Sequence, residues 1–174
     1  MSIAPDTKDW TWVLDRQCLQ CGFDAAATPR GAIARAIRGN ATEWLPLLGR
    51  ADAIRRPRPD KWSCLEYACH VRDVLRIFDL RLSLMLTADD PTFENWDQNE
   101  TALLDRYDQQ EPSIVGSEVV DVADQLAARY ESVTGMQWSR AGTRSNGSRF
   151  TVETLGIYGL HDPIHHLWDV TTTD

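Results

Sequence analysis

Read from its apolar positions, the chain carries four long helical stripes. Ile33, Ile37, Ala41, Trp44, Leu45 and Leu48 recur at steps of three and four, which predicts a helix ending near Gly49. Thr28-Pro29 reads as its start, a capping hydroxyl followed by a first-turn proline. Ser63 with Glu66 three residues on is a capping box, and Tyr67, His70, Val71, Val74, Ile77, Phe78, Leu82 and Met85 continue it as a core-facing stripe to about Thr87. Pro112-Ser113 opens a third helix through Ile114, Val119, Val122, Ala123, Leu126 and Tyr130, to about Val133. Thr151 caps a fourth that lays Val152, Leu155, Tyr158, His161, His165 and Trp168 along one face.

The segments between are of different kinds. Residues 1–27 alternate Trp10, Trp12 and Leu14 with polar residues, as an extended arm laid over the bundle by its tryptophans would. Residues 89–111 form a long acidic connection, with room for a short helix from Gln98 to Arg106. Ser139 to Arg149, with Gly142, Asn146 and Gly147, fits a hairpin or a flexible loop. The expected architecture is therefore all-α: one domain over residues 1–174, a four-helix bundle with a long crossover connection between helices 2 and 3.

Composition narrows the function classes. A net charge of −8 argues against nucleic acid as a partner, since that binding rests on Lys and Arg neutralising phosphates. The basic stretch Arg50 to Lys61, with Arg55, Arg56 and Arg58, reads as a solvated inter-helix loop. No run is long and apolar enough to span a membrane, and Met1 to Trp12 lacks the pattern of a secretory signal, so a cytoplasmic protein is expected. In that compartment Cys18, Cys21, Cys64 and Cys69 do not read as a disulfide framework. Cys18-x-x-Cys21 fits either half of a zinc site or a redox pair; Cys64 and Cys69 do not supply a second such motif.

The histidines carry the candidate chemistry. His161 and His165 are four apart, so a helix presents both imidazoles on one face. His166 is rotated from His165 by about 100° and points elsewhere. His70 lies on the apolar stripe of the second helix, where a buried imidazole needs partners for its nitrogens. Together His70, His161 and His165 form an expected three-histidine site for one divalent ion, zinc or nickel, leaving a position open for water or a thiol. Asp73 and Asp169, one turn beyond His70 and His165, are placed to orient the ligand rings, with Asp162 and Asp97 as further candidates. Pro163 between the ligands either kinks the helix, eased by Gly159, or with Asp162 as cap starts a new one.

Trp62-Ser63, Glu66, His70 and Asp73, with His161-Asp162-x-x-His165-His166-Leu167-Trp168-Asp169, resemble the DinB-like superfamily. Cys18-x-x-Cys21-Gly22-Phe23-Asp24 and Phe93-x-x-Trp96-Asp97-Gln98 resemble an actinobacterial branch of it. The resemblance implies a four-helix bundle with one metal ligand from the second helix and a pair from the last. It also implies a dimer, and a metal-dependent S-transferase or hydrolase using a low-molecular-weight thiol such as mycothiol or bacillithiol against a small electrophile. The alternative is a metal-binding stress or interaction protein of the same fold without turnover. The maleylpyruvate isomerases of that superfamily carry Glu as the first of the last-helix pair, whereas His161 stands there on this reading, which counts against the isomerase activity itself.

Overall fold

The computed structural model describes residues 9–172, so residues 1–8 of the expected arm lie outside it. Among the described residues there are five α-helices: α1 (Ile33–Leu48), α2 (Cys64–Thr87), α3 (Gln98–Leu104), α4 (Pro112–Ser132) and α5 (Val152–Thr171). The four long ones build the bundle. α1 packs on α4 and α5, and α2 also packs on α4 and α5, whereas α1 and α2 make few contacts. The helices consecutive in sequence, α1 and α2, are thus diagonal to each other. The all-α bundle with a long link between its second and third helices is what the structure shows.

Local chemistry sets most boundaries. Ser63 accepts from the Glu66 amide while the Glu66 carboxylate accepts from the Ser63 amide, and Arg56 also donates to that carboxylate. Thr151 caps α5 by the same kind of reciprocal bond, with Thr154. α1 starts later than Thr28-Pro29 suggests. The Thr28 hydroxyl donates to the Asp24 carbonyl, and a 3-10 turn over Arg30–Ala32 leads into the helix at Ile33.

The connection is more ordered than its composition suggests. β1 (Thr92–Phe93) pairs in parallel with β2 (Ala141–Arg144), which pairs antiparallel with β3 (Arg149–Thr151), so the expected hairpin gains a third strand. A Cβ on Gly142 would fall 2.8 Å from Met85 Cγ, so only glycine lets β2 lie this close to α2. The sheet holds Arg144 and the Phe93–Trp96 segment over one end of the bundle. At the other side of that end, Val13, Cys18 and Phe23 bury the arm against the bundle core. No helix among the described residues is long and apolar enough to cross a membrane.

Candidate metal centre

Helix α5 runs unbroken through Pro163, so Asp162 does not cap a new helix. A Cβ on Gly159 would sit 2.5 Å from Phe78 Cδ1; this glycine admits the Phe78 ring against the helix. The Pro163 carbonyl accepts from Asn40 Nδ2 of α1 at 3.0 Å, which fixes the middle of α5.

On this helix two i,i+4 pairs overlap, and each serves a different neighbour. His161 and His165 face the arm and form one group with Cys18 and Cys21. Asp162 and His166, one step around the helix, face α2 and form a second group with His70. The expected trio of His70, His161 and His165 is therefore divided between two groups. The physical reason is the helix rotation: the side of α5 that meets α2 carries positions 162 and 166, not 161 and 165.

In the group facing α2, His70 Nε2 lies 3.2 Å from Asp162 Oδ1, and His166 Nε2 lies 3.6 Å from the same oxygen. His70 is fully buried, its ring stacked on Trp96 with centroids 5.5 Å apart and flanked by Trp62. Burial works against a charge on Asp162, but the neighbouring His70 and His166 imidazoles outweigh it and hold the carboxyl well below the ordinary range. His166 Nδ1 is 2.9 Å from Asp169 Oδ2. With that nitrogen donating to Asp169, a neutral His166 turns its Nε2 lone pair toward the Asp162 carboxylate, an arrangement that a bound cation, or a proton on Nε2, makes favourable. Two imidazoles from two helices thus converge on one carboxylate oxygen. Two imidazoles and a carboxylate, with Asp169 fixing one ring, fit a divalent ion held by three ligands with a position left open.

Three expected supporting acids are reassigned. Asp169 serves His166 rather than His165. Asp73 accepts from Arg72, Arg76 and Tyr107, a buried network that occupies both its oxygens. Asp97 caps α3 through the Asn99 and Glu100 amides. The α5 residue against His70 Nε2 is Asp162, a carboxylate, rather than His161.

The group facing the arm is the more enclosed. His161 and His165 are buried, and Cys18 Sγ lies 3.7 Å from His165 Nδ1. Burial, then the nearby His165, pushes the His161 imidazole down to about 4, so it is neutral at physiological pH. Burial pushes the Cys21 thiol up to about 11 against the pull of the Phe23 amide. The sequence reading places Asp162 only among supporting acids, sets His166 aside, and leaves the cysteines open. The signal for the first was present: Asp162-x3-His166 has the same spacing as His161-x3-His165.

Both groups border a cleft of about 660 Å³, walled by Trp10, Trp62, Trp96, Tyr158 and the α5 side chains. Arg81 and Arg144 reach into the same cleft. Burial first, and then the neighbouring Arg144, push the Arg81 guanidinium down to about 10. No ion pair of either arginine with a carboxylate occurs among the described residues: Arg81 donates to the Glu94 carbonyl, and Arg144 to the Asn95 amide oxygen.

A diagonal-ordered helical bundle presenting a His–Asp–His group from its second and last long helices to a cleft is a scaffold built around a candidate metal centre. The chain belongs to the DinB superfamily, whose model matches residues 34–170. Among solved structures it is similar to YfiT from Bacillus subtilis, described as a probable metal-dependent hydrolase with an unusual four-helix bundle topology. That likeness has a TM-score of 0.72 at 17% identity and covers 82% of this chain and 85% of the other; it carries the fold. No curated protein matches the chain.

Proposed function

We propose that this protein is a metal-dependent hydrolase or thiol S-transferase acting on a small anionic substrate, with His70, Asp162 and His166 as the ligands. The observation that carries this reading is the approach of two imidazole Nε2 atoms to one Asp162 oxygen, with Asp169 behind His166. When bound, a zinc or nickel ion supplies Lewis acidity sufficient to deprotonate water or a thiol near neutral pH. The chain's own residues do the rest. Asp169 pairs with His166 Nδ1 and so orients the ring with Nε2 toward Asp162. Trp96 stacks on the His70 ring and Trp62 lies tilted against it, and the buried ring is kept from water.

Arg81 and Arg144 set the substrate class. Two guanidiniums close together, neither in an ion pair with a carboxylate among the described residues, in a chain of net charge −8, would form a receptor for a carboxylate or phosphate on the substrate. The relative YfiT supports the hydrolytic branch by its description, and the family resemblance supports the thiol branch. The two differ only in whether oxygen or sulfur attacks the electrophile.

The test is turnover by zinc- and nickel-loaded protein of paired anionic and neutral aryl esters, and of anionic electrophiles with a small thiol. Metal-dependent turnover lost in His166→Ala is expected, with the anionic member of each pair favoured roughly tenfold or more, about the worth of one charged hydrogen bond. Arg144→Ala should erase that preference. Stoichiometric metal with no turnover of any ester or electrophile would instead support the non-enzymatic metal binder.

A further inference from the structure

We propose that Cys18, Cys21, His161 and His165 hold a second ion, a structural zinc in a closed Cys2His2 set that clamps the N-terminal arm to the last helix. This site is independent of the reading above and shares no ligand with it.

The four ligand atoms, one from each residue, all lie within 4.8 Å of one another. A tetrahedral zinc with bonds of about 2.3 Å to sulfur and 2.0–2.1 Å to nitrogen sets its ligand atoms about 3.3–3.8 Å apart. The Cys18 Sγ to His165 Nδ1 separation of 3.7 Å falls in that range. His161 supplies an independent sign. Its Nε2 is buried without a hydrogen-bond partner among the described residues, on a side chain only 4% exposed. An imidazole nitrogen left so is costly unless something else satisfies it.

The arm is shaped for the task. The Gly22 amide donates to the Cys18 carbonyl and the Cys18 amide to the Phe23 carbonyl, both at 2.8 Å. Gly22 sits at φ +77°, a conformation in which a side chain would be strained. This tight turn brings the sulfurs of Cys18 and Cys21, three positions apart, toward one point. Rings of Trp10, Trp12 and Phe23 lie 5.2–6.3 Å from His161 and close the site on the arm side.

The donor set selects the metal and the role. Two thiolates with two imidazoles is a zinc set, and four protein ligands leave no position for substrate. Binding displaces the two thiol protons to solvent and forms two Zn–S and two Zn–N bonds. The rival is a redox-active Cys18–Cys21 pair, which the half-buried Cys21 could open, but such a pair would leave the buried His161 Nε2 without a partner. The clamp also has a consequence for the cleft, because Trp10 on the clamped arm forms part of its wall.

The experiment uses the full untagged chain, reduced and loaded with zinc or cobalt. X-ray absorption at the zinc edge should show sulfur scatterers at about 2.3 Å besides nitrogen and oxygen. The cobalt form should show a sulfur-to-metal charge-transfer band and the intense visible bands of a tetrahedral ion. Cys21→Ser should lose that band and one equivalent of zinc, while His166→Ala should keep the band. Chelation should lower the Tm of the loaded wild type by roughly 5–10 °C, the scale expected for loss of a tight ligand from a chain of this size. Zinc bound through nitrogen and oxygen alone, or no thiolate band in reduced wild type, overturns the proposal. Because the absorption measurement needs no variant, a Cys21→Ser protein that fails to fold does not blunt the test.

Discussion

Asp162→Ala is expected to release the ion held near His70 and to bring turnover to background, a loss of roughly 10³-fold or more. Removing a partner that merely orients a ligand weakens metal binding by about 10–100-fold, and a ligand placed between two imidazoles should exceed that. Asp162 Oδ1 is the atom that both His70 Nε2 and His166 Nε2 approach, so without it the rings lose their common co-ligand. Asp169→Asn should fall in the lower range, because its contact is with the far nitrogen of His166. Metal content by elemental analysis, read beside Tm, separates the ligand role from a folding defect. Asp162→Ala protein that keeps its full metal content and its activity would remove Asp162 from the site.

The Asp162 pair also shows where sequence reading stops. Ser63, Glu66 and Pro112 fix the starts of α2 and α4 through bonds or sterics within one turn, and such signals are legible one residue at a time. Thr28 carried an equally local signal, but the Asp24 carbonyl lies close enough to take its hydroxyl. On α5 the difficulty is different. This helix is buried on more than one side, against α1, α2 and the arm, so its apolar stripe is too broad to single out one face. Positions 161 and 165 satisfy a helical ligand pair as well as 162 and 166 do. Which pair meets His70 depends on how α5 is rotated against α2, and the close seat of Phe78 on Gly159 fixes that rotation. Gly159 was legible only as a glycine; that a ring rests on it is a long-range fact. The arm is long-range too, since Cys18 meets His165 across nearly the whole chain. β1 is two residues long and has no periodicity to read.

Asp73→Ala is expected to destabilise the protein by about 1–3 kcal/mol at neutral pH, the range for leaving buried donors unsatisfied, because Arg72 keeps Glu118 as an ion-pair partner at 2.7 Å. Asp73 accepts from Arg72 Nε and Arg76 Nη1 at 2.9 Å and from the Tyr107 hydroxyl at 2.5 Å. Arg72 is 4% exposed and Tyr107 1%, so water does not readily replace the lost acceptor. For a chain of this length the change corresponds to a Tm lower by roughly 2–12 °C. The effect should depend on pH in a defined direction. Burial raises the Asp73 pKa, but Arg72, Tyr107 and Arg76 together outweigh it, so the folded value lies below the ordinary 3.8. A carboxyl depressed on folding stabilises fully above its unfolded pKa and loses that contribution as pH falls through its folded one. The gap between wild type and Asp73→Ala should therefore be constant near neutrality and begin to close at about pH 4. Denaturant titrations across that window, with metal content measured at pH 7, decide between two roles. A stable Asp73→Ala protein that has lost its metal would return Asp73 to the service of His70; an unstable one that keeps its metal assigns the acid to the joint between α2 and the crossover.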